Sequence, residues 1–148
     1  GVQTCALPIS LGAIAARNRE SFSGRLIAIT GSSGKTTTKN LLAGIVGLAG
    51  PALATRGNLN NEIGVPLTLL QLAPEHEYAV IEMGAGKPGD IRYLCSLARP
   101  DVSILLNVMP AHLEGFGSVD RVAETKAEIL AGLPIDDDLA LGLVRQVD

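Results

Sequence analysis

The segment that most constrains the fold is T-G-S-S-G-K-T-T at residues 30–37, because of what flanks it. Before it, R-L-I-A-I-T at residues 25–30 is a compact apolar run of the kind that forms a buried strand. After it, Leu41, Leu42, Ile45, Val46 and Leu48 recur at helical spacing, so residues 35–48 read as a helix. Strand, glycine-bounded turn and helix, in that order, are the setting a phosphate-binding loop requires. Gly31 and Gly34 let the backbone curl until several N–H groups face an anion, and the helix start adds partial positive charge. Lys35 can then reach the outer phosphates, and Thr36 supplies the hydroxyl that such loops place on Mg²⁺. Gly31, Ser32, Ser33, Gly34, Lys35, Thr36 and Thr37 are therefore the candidate nucleotide contacts. The loop departs from the longer G-x-x-x-x-G-K-T form, since Ile29 stands where the first glycine would be. A coincidental Gly-rich turn is the competing reading, and the flanking strand and helix count against it.

The rest of the chain repeats the alternation. Residues 11–19 read as a helix and 21–24 as a turn ahead of the first strand. Gly50-Pro51 breaks the second helix, residues 52–55 suit a short strand, and residues 56–64 form a polar, Asn-rich loop. A helix fits residues 66–72, and Y-A-V-I-E-M at residues 78–83 is a second strong strand, closed by Gly84 and Gly86. A helix over residues 90–98 is stopped by Pro100, residues 102–106 form a third buried strand, and residues 119–130 form an amphipathic helix after a Gly-rich turn. Residues 139–144 can form a further strand. This order predicts an α/β fold: a mostly parallel sheet with helices on both faces and ligands gathered at the carboxyl ends of the strands.

With 148 residues, one core is expected, and 47% apolar residues suit an aliphatic interior. The formal net charge of −3 provides no basic field for nucleic acid or an anionic membrane, so phosphate must be held locally. The longest mostly apolar stretch, residues 41–54, falls short of the ~20 residues a bilayer span needs. A cytoplasmic protein is expected. Cys5 and Cys95 lack C-x-x-C spacing and read as isolated thiols.

Glu82 is the charged residue of an apolar strand and lies near its carboxyl end, beside the expected phosphate loop. A charge there must be exposed, paired or on a metal, so a Mg²⁺ ligand and a structural ion pair are the two readings. Asn107, His112 and Glu114 follow the third strand. A lone His is more often structural than a ligand, and the place of His112 at a strand end beside the expected Mg²⁺ brings the two readings level, while Lys126 by spacing alone is a solvated partner of Glu124 or Glu128.

Four segments taken together resemble the Mur ligases: the phosphate loop, G-N-L-N-N-E-I-G-V-P at residues 57–66, A-V-I-E-M-G-A at residues 79–85, and N-V-M-P-A-H-L-E-G-F-G-S at residues 107–118. The resemblance runs from about residue 10 to residue 134, in the family's order. It implies ATP-driven amide-bond formation for peptidoglycan precursors, with a substrate carboxylate phosphorylated by ATP and the resulting acyl phosphate attacked by an amine. The second and fourth segments are worded most like the family member that joins D-alanyl-D-alanine to UDP-MurNAc-tripeptide. By the same resemblance Lys35, His112 and Lys126 are catalytic. Thr36 and Glu82 look like ligands of a first Mg²⁺, and His112 is similar to a ligand of a second metal. Lys126, in E-T-K-A-E-I-L, matches the lysine that relatives carbamylate, which would make it an anionic metal ligand. Asn58, Asn60 and Asn61 would line the substrate side of the cleft.

The resemblance covers the first part of the family's central ATP-binding domain. Residues 1–23 are expected to be a leader and linker helix, with 1–9 foreign to the pattern, and 24–148 a partial central domain. A fragment of this kind should be inactive alone, and its partners should be small molecules, with a monomeric state and no nucleic acid or membrane. Other Mur-type ligases, the related folylpolyglutamate and cyanophycin synthetases, and a noncatalytic Mg-ATP-binding module are the rival readings.

Overall fold

The computed structural model describes residues 3–109, 118–131 and 145–146. The elements are α1 (Gln3–Glu20), β1 (Arg25–Thr30), α2 (Lys35–Gly47), β2 (Ala52–Ala54), α3 (Gly64–Leu69), β3 (Tyr78–Glu82), α4 (Asp90–Ala98), β4 (Val102–Leu105), β5 (Asn107–Val108), α5 (Val119–Ala131) and β6 (Arg145–Gln146). Four strands form one sheet in the order β2-β3-β1-β4, with all pairs parallel. β5 and β6 form a separate parallel pair.

The strand residues alternate between two helical layers. Leu26 and Ala28 of β1, paired with Ala79 and Ile81 of β3, join the main core with Val65 and Leu69 of α3, Ile91 and Leu94 of α4, and Ile129 of α5. Ile29 and Val80, also fully buried, lie outside that cluster on the opposite side of the pleat, where α2 packs on β3, β2 and β1. α1 packs on α3 and α4, and α4 on α5. The expected architecture, helices on both faces of a parallel sheet, is what forms.

The boundaries differ at a few places. α1 begins at Gln3, earlier than the expected residue 11. The helix expected over residues 66–72 is shorter and earlier, Gly64–Leu69, because Asn61 caps it: its Oδ1 accepts the N–H groups of Ile63 at 3.2 Å and Gly64 at 2.9 Å. The strand expected over 139–144 lies outside the described residues, and so do His112, Glu114 and the glycines of the turn before α5.

The topology places the site. The chain leaves β1 for α2 on one face and leaves its neighbour β3 for α4 on the other, so a crevice opens between their carboxyl ends. Ile29 pairs with Glu82 in register, which sets the end of β3 beside the start of the glycine-bounded loop.

Candidate active site

The loop between β1 and α2 turns at Gly34, whose φ of 76° is a left-handed conformation that costs glycine little. α2 then begins at Lys35, and the first N–H groups of a helix have no acceptor within it. Lys35 curls back so that Nζ donates to the Gly31 carbonyl at 2.8 Å. Lys126, on α5, donates to the same carbonyl at 3.1 Å.

Glu82 is the hub of the opposite wall. Its carboxylate accepts the Thr36 hydroxyl at 3.0 Å and the Asn60 amide Nδ2 at 2.8 Å, and it stands 3.9 Å from the ammonium of Lys39. Glu82 is only 2% exposed and Lys39 3%, so the ion pair keeps each charge from being buried alone. Thr55 completes the arrangement: its carbonyl accepts Lys39 Nζ at 2.7 Å and its hydroxyl accepts the Glu82 N–H at 2.9 Å. Of the two readings left open for Glu82, the ion pair with Lys39 forms, and the same Oε2 that faces Lys39 also accepts the Thr36 hydroxyl, while Oε1 takes the Asn60 amide. Gly84 follows because a Cβ there would stand 2.9 Å from Asn60 Oδ1.

Above these groups lies a cleft of roughly 460 Å³, lined among others by Gly31, Ser32, Lys35, Asn60, Asn61 and Lys126. The candidate residues therefore meet in one place, with distinctions. Asn60 faces the cleft but binds Glu82 with its amide nitrogen, Asn61 lines it while its oxygen caps α3, and Asn58 is exposed and does not line it. The N–H groups of Ser32 and Ser33 are taken by Asn107 Oδ1, at 3.1 and 3.0 Å.

Lys126 overturns its bland reading as a solvated partner of Glu124 or Glu128. It is 5% exposed, and its ammonium is lowered from 10.5 to about 8, first by burial and then by the charge of Lys35. Glu128 reaches elsewhere: it accepts the N–H groups of Gly89 at 3.0 Å and Arg92 at 2.9 Å, capping the start of α4 from another helix. Cys95 is a buried thiol whose pKa is raised to about 12, first by burial and then by Glu128, which suits the reading of an inert core residue.

Sequence reasoning missed Lys39, Thr55 and the capping by Glu128. Each depends on pairing between elements distant in sequence, and no local pattern signals it.

Thr36 and Glu82 present adjoining hard oxygens beside unpaired helix amides, a donor set that fits Mg²⁺ bound together with phosphate oxygens and water. Among the described residues no cluster of three His, Cys, Asp or Glu side chains forms. Among the described residues no helix is long and apolar enough to cross a membrane.

A parallel sheet, a glycine-bounded loop opening a helix, and a lysine and threonine at that helix start define a phosphate-loop nucleotide-binding α/β domain. The chain belongs to the Mur ligase middle domain family, whose model matches residues 29–144. It is 51% identical over 126 residues to the UDP-N-acetylmuramoyl-tripeptide–D-alanyl-D-alanine ligase of Escherichia coli, an alignment covering 85% of this chain and 28% of the relative. The Bacillus subtilis enzyme of the same name is 43% identical over 112 residues, 76% of this chain and 24% of the relative. Among solved structures, MurF from Acinetobacter baumannii superposes with a TM-score of 0.88 at 43% identity, over 95% of this chain and 31% of that one. MurF from Thermotoga maritima, solved in complex with ADP, gives 0.82 at 42% identity, over 93% and 31%. The chain thus spans less than a third of the length of these relatives.

Proposed function

We propose that this chain is the nucleotide-binding part of an ATP- and Mg²⁺-dependent ligase that joins D-alanyl-D-alanine to UDP-MurNAc-tripeptide. The observation that carries the reading is the Thr36–Glu82 contact beside the open start of α2, a ready seat for a metal–triphosphate. The choice of acceptor and amine is supported by the names of the relatives, at 51% and 43% identity.

The geometry supports the following roles. The α2 amides and Lys35, released from Gly31, hold the outer phosphates, and Asn60 keeps the Glu82 carboxylate oriented toward Thr36. A Mg²⁺ held by Thr36 and Glu82 supplies positive charge that offsets the charge on the transferring phosphoryl group. Lys126 stands within reach of the same loop, and its lowered pKa favours the neutral amine that adds to carbon dioxide to give a carbamate and a proton. His112 joins the reading as a second-metal ligand by resemblance alone. Asn61, which lines the cleft, is the further candidate on the substrate side, whereas Asn58 stands outside the cleft lining. Residues 24–148 are read as part of the central domain, with residues 1–23 as a linker helix. The whole protein is read as a cytoplasmic monomer acting on small molecules, and this portion as inactive by itself.

The test is phosphate release by the full-length gene product with ATP, Mg²⁺ and UDP-MurNAc-tripeptide, comparing D-alanyl-D-alanine with single amino acids. Release that requires the dipeptide is expected. Release with another acceptor and amine moves the substrate to a sister ligase, and no release with any pairing leaves a nucleotide-binding module.

A further inference from the structure

The arm of the phosphate loop is held from outside by a side chain to which the proposed reaction gives no task. Asn107 opens β5, just past the end of β4. Its Oδ1 accepts the N–H groups of Ser32 at 3.1 Å and Ser33 at 3.0 Å, and its Nδ2 donates to the Ser33 carbonyl at 3.2 Å. The Asn107 backbone carbonyl also accepts the Ser32 N–H at 3.1 Å. The Ser32 hydroxyl exchanges bonds with the Met109 backbone, accepting from its N–H at 2.9 Å and donating to its carbonyl at 3.2 Å. Three consecutive peptide units of the loop are thus tied to one carboxamide and the strand that carries it.

This tie answers a gap in the sequence. Ile29 occupies the place of the first glycine in the long form of the motif, and it lies fully buried within β1. The strand therefore runs on to Thr30, and the backbone has a short stretch in which to curl before Gly34. Four residues with one left-handed glycine do not fix their own shape, and loop entropy favours many arrangements. A carboxamide that both accepts from and donates to the same arm removes that freedom.

We propose that Asn107 is the positioning residue of this loop. It fixes the Ser32-Ser33 arm against β5, so that the first turn of α2 and Lys35 face the cleft before any nucleotide arrives. Because Oδ1 takes the Ser32 and Ser33 N–H groups, the phosphates are left to the amides that follow Gly34. The inference rests on the nucleotide-binding reading of the loop. A donor set ordered in advance gives its binding energy without an ordering cost at the moment of binding.

The experiment compares the full-length gene product with its Asn107→Ala variant. The readings are the affinity for ADP by calorimetry, the KM for ATP against kcat, and amide hydrogen exchange of the loop without nucleotide. Expected are faster exchange at Ser32 and Ser33, ADP affinity and KM both worsened about tenfold, and kcat altered less than about threefold, with the thermal midpoint held. A merely structural role moves the thermal midpoint without separating KM from kcat. Unchanged exchange, or faster exchange with unchanged ADP affinity, overturns the proposal. Tighter ADP binding by the variant also overturns it, by making the carboxamide a competitor for the phosphate position. A parent protein that binds no ADP removes the nucleotide reading itself, an outcome distinct from a parent and variant that bind equally well. If Asn107→Ala fails to fold, Asn107→Ser, which keeps a polar atom but lacks the reach to both amides, takes the same measurements with the same expected signs.

Discussion

Lys35 and Lys126 donate to one atom, the carbonyl oxygen of Gly31, at 2.8 and 3.1 Å. Two ammonium groups converging on a carbonyl repel each other, and the buried one yields: Lys126 falls to about 8, by burial first and by Lys35 second. Relative to an ordinary lysine, that raises the neutral fraction near pH 7 about 300-fold. The contact therefore brings Lys126 toward a nucleophilic state. An exposed Lys126 on the same helix would lose the burial that causes most of this shift.

The same shift makes stability depend on pH. Between pH 8 and 10.5 the unfolded chain keeps the Lys126 proton and the folded chain releases it, so folding gains as pH rises through that window. Below pH 8 both states are protonated and the full cost, about 3 kcal/mol, is present. Lys126→Met removes the titration. The thermal midpoint of the parent, measured against that of Lys126→Met without carbon dioxide or nucleotide, is expected to rise from pH 7 to pH 10. A difference that is flat with pH counts against the shift.

Glu82 joins three partners, so its substitutions should separate chemistry from folding. Glu82→Gln keeps shape and the chance of bonds to Thr36 and Asn60 but leaves the Lys39 ammonium, 3% exposed, without a counter-charge. A loss of about 3 kcal/mol in stability is expected, as when one partner of a buried pair is removed. Glu82→Gln paired with Lys39→Met should recover much of that stability. Activity and the Mg²⁺ dependence of ADP binding should stay lost in the double variant, because the hard anionic oxygen is still missing. Calorimetry and phosphate release read the two effects separately, and recovered activity in the double variant would refute the metal role.

The strands and the phosphate loop were legible because they are written locally. R-L-I-A-I-T and Y-A-V-I-E-M are buried on both faces and so read as continuous apolar runs, and the glycines between β1 and α2 announce the turn. Glu82 was legible as a charge out of place in such a run. The site's support was not legible, since it comes from register and packing. Lys39 lies on α2 and Thr55 follows β2, and they meet only because β2 pairs with β3 in parallel. Lys126 reads as one lysine among glutamates until α5 docks on α4 and β4 and turns it inward. Asn61 shows how a local role can be overlooked for a functional one: its oxygen caps α3.

Glu128 is the residue that makes this docking specific. It accepts the N–H groups of Gly89 and Arg92, and the Arg92 guanidinium approaches it at 3.4 Å. Gly89 precedes α4 with φ of 90° and has no side chain to cap with, so the carboxylate arrives from α5. Glu128→Ala is expected to cost about 1–2 kcal/mol, within the range of a lost N-cap. Arg92→Ala, whose side chain is 76% exposed, should cost well under 1 kcal/mol. Equal effects on the thermal midpoint would show that the ion pair, and not the cap, carries the contact.

Arg19 fastens the end of α1 to α4 and the start of β1, while Asn18 Nδ2 ties the same helix to the Leu69 and Leu72 carbonyls. Arg19 Nε donates to the Ala98 carbonyl at 2.6 Å, its NH2 group donates to the Arg99 carbonyl at 2.9 Å and approaches Asp101 at 3.3 Å, and the guanidinium lies 5.4 Å from the Phe22 ring centre. Asp101 in turn accepts the Leu26 N–H at 2.7 Å, so the latch reaches the start of β1. At 11% exposure the Arg19 side chain is sheltered, and its planar fork fits two carbonyls that a lysine could not reach together. Arg19→Ala should cost about 2–3 kcal/mol and Arg19→Lys more than half of that. Breaking the neighbouring Arg99–Glu20 pair, 61% and 52% exposed, should change stability by less than about 1 kcal/mol. Urea midpoints of the three variants check the order. If Arg19→Lys matches the parent, charge alone holds the latch and the forked geometry contributes nothing.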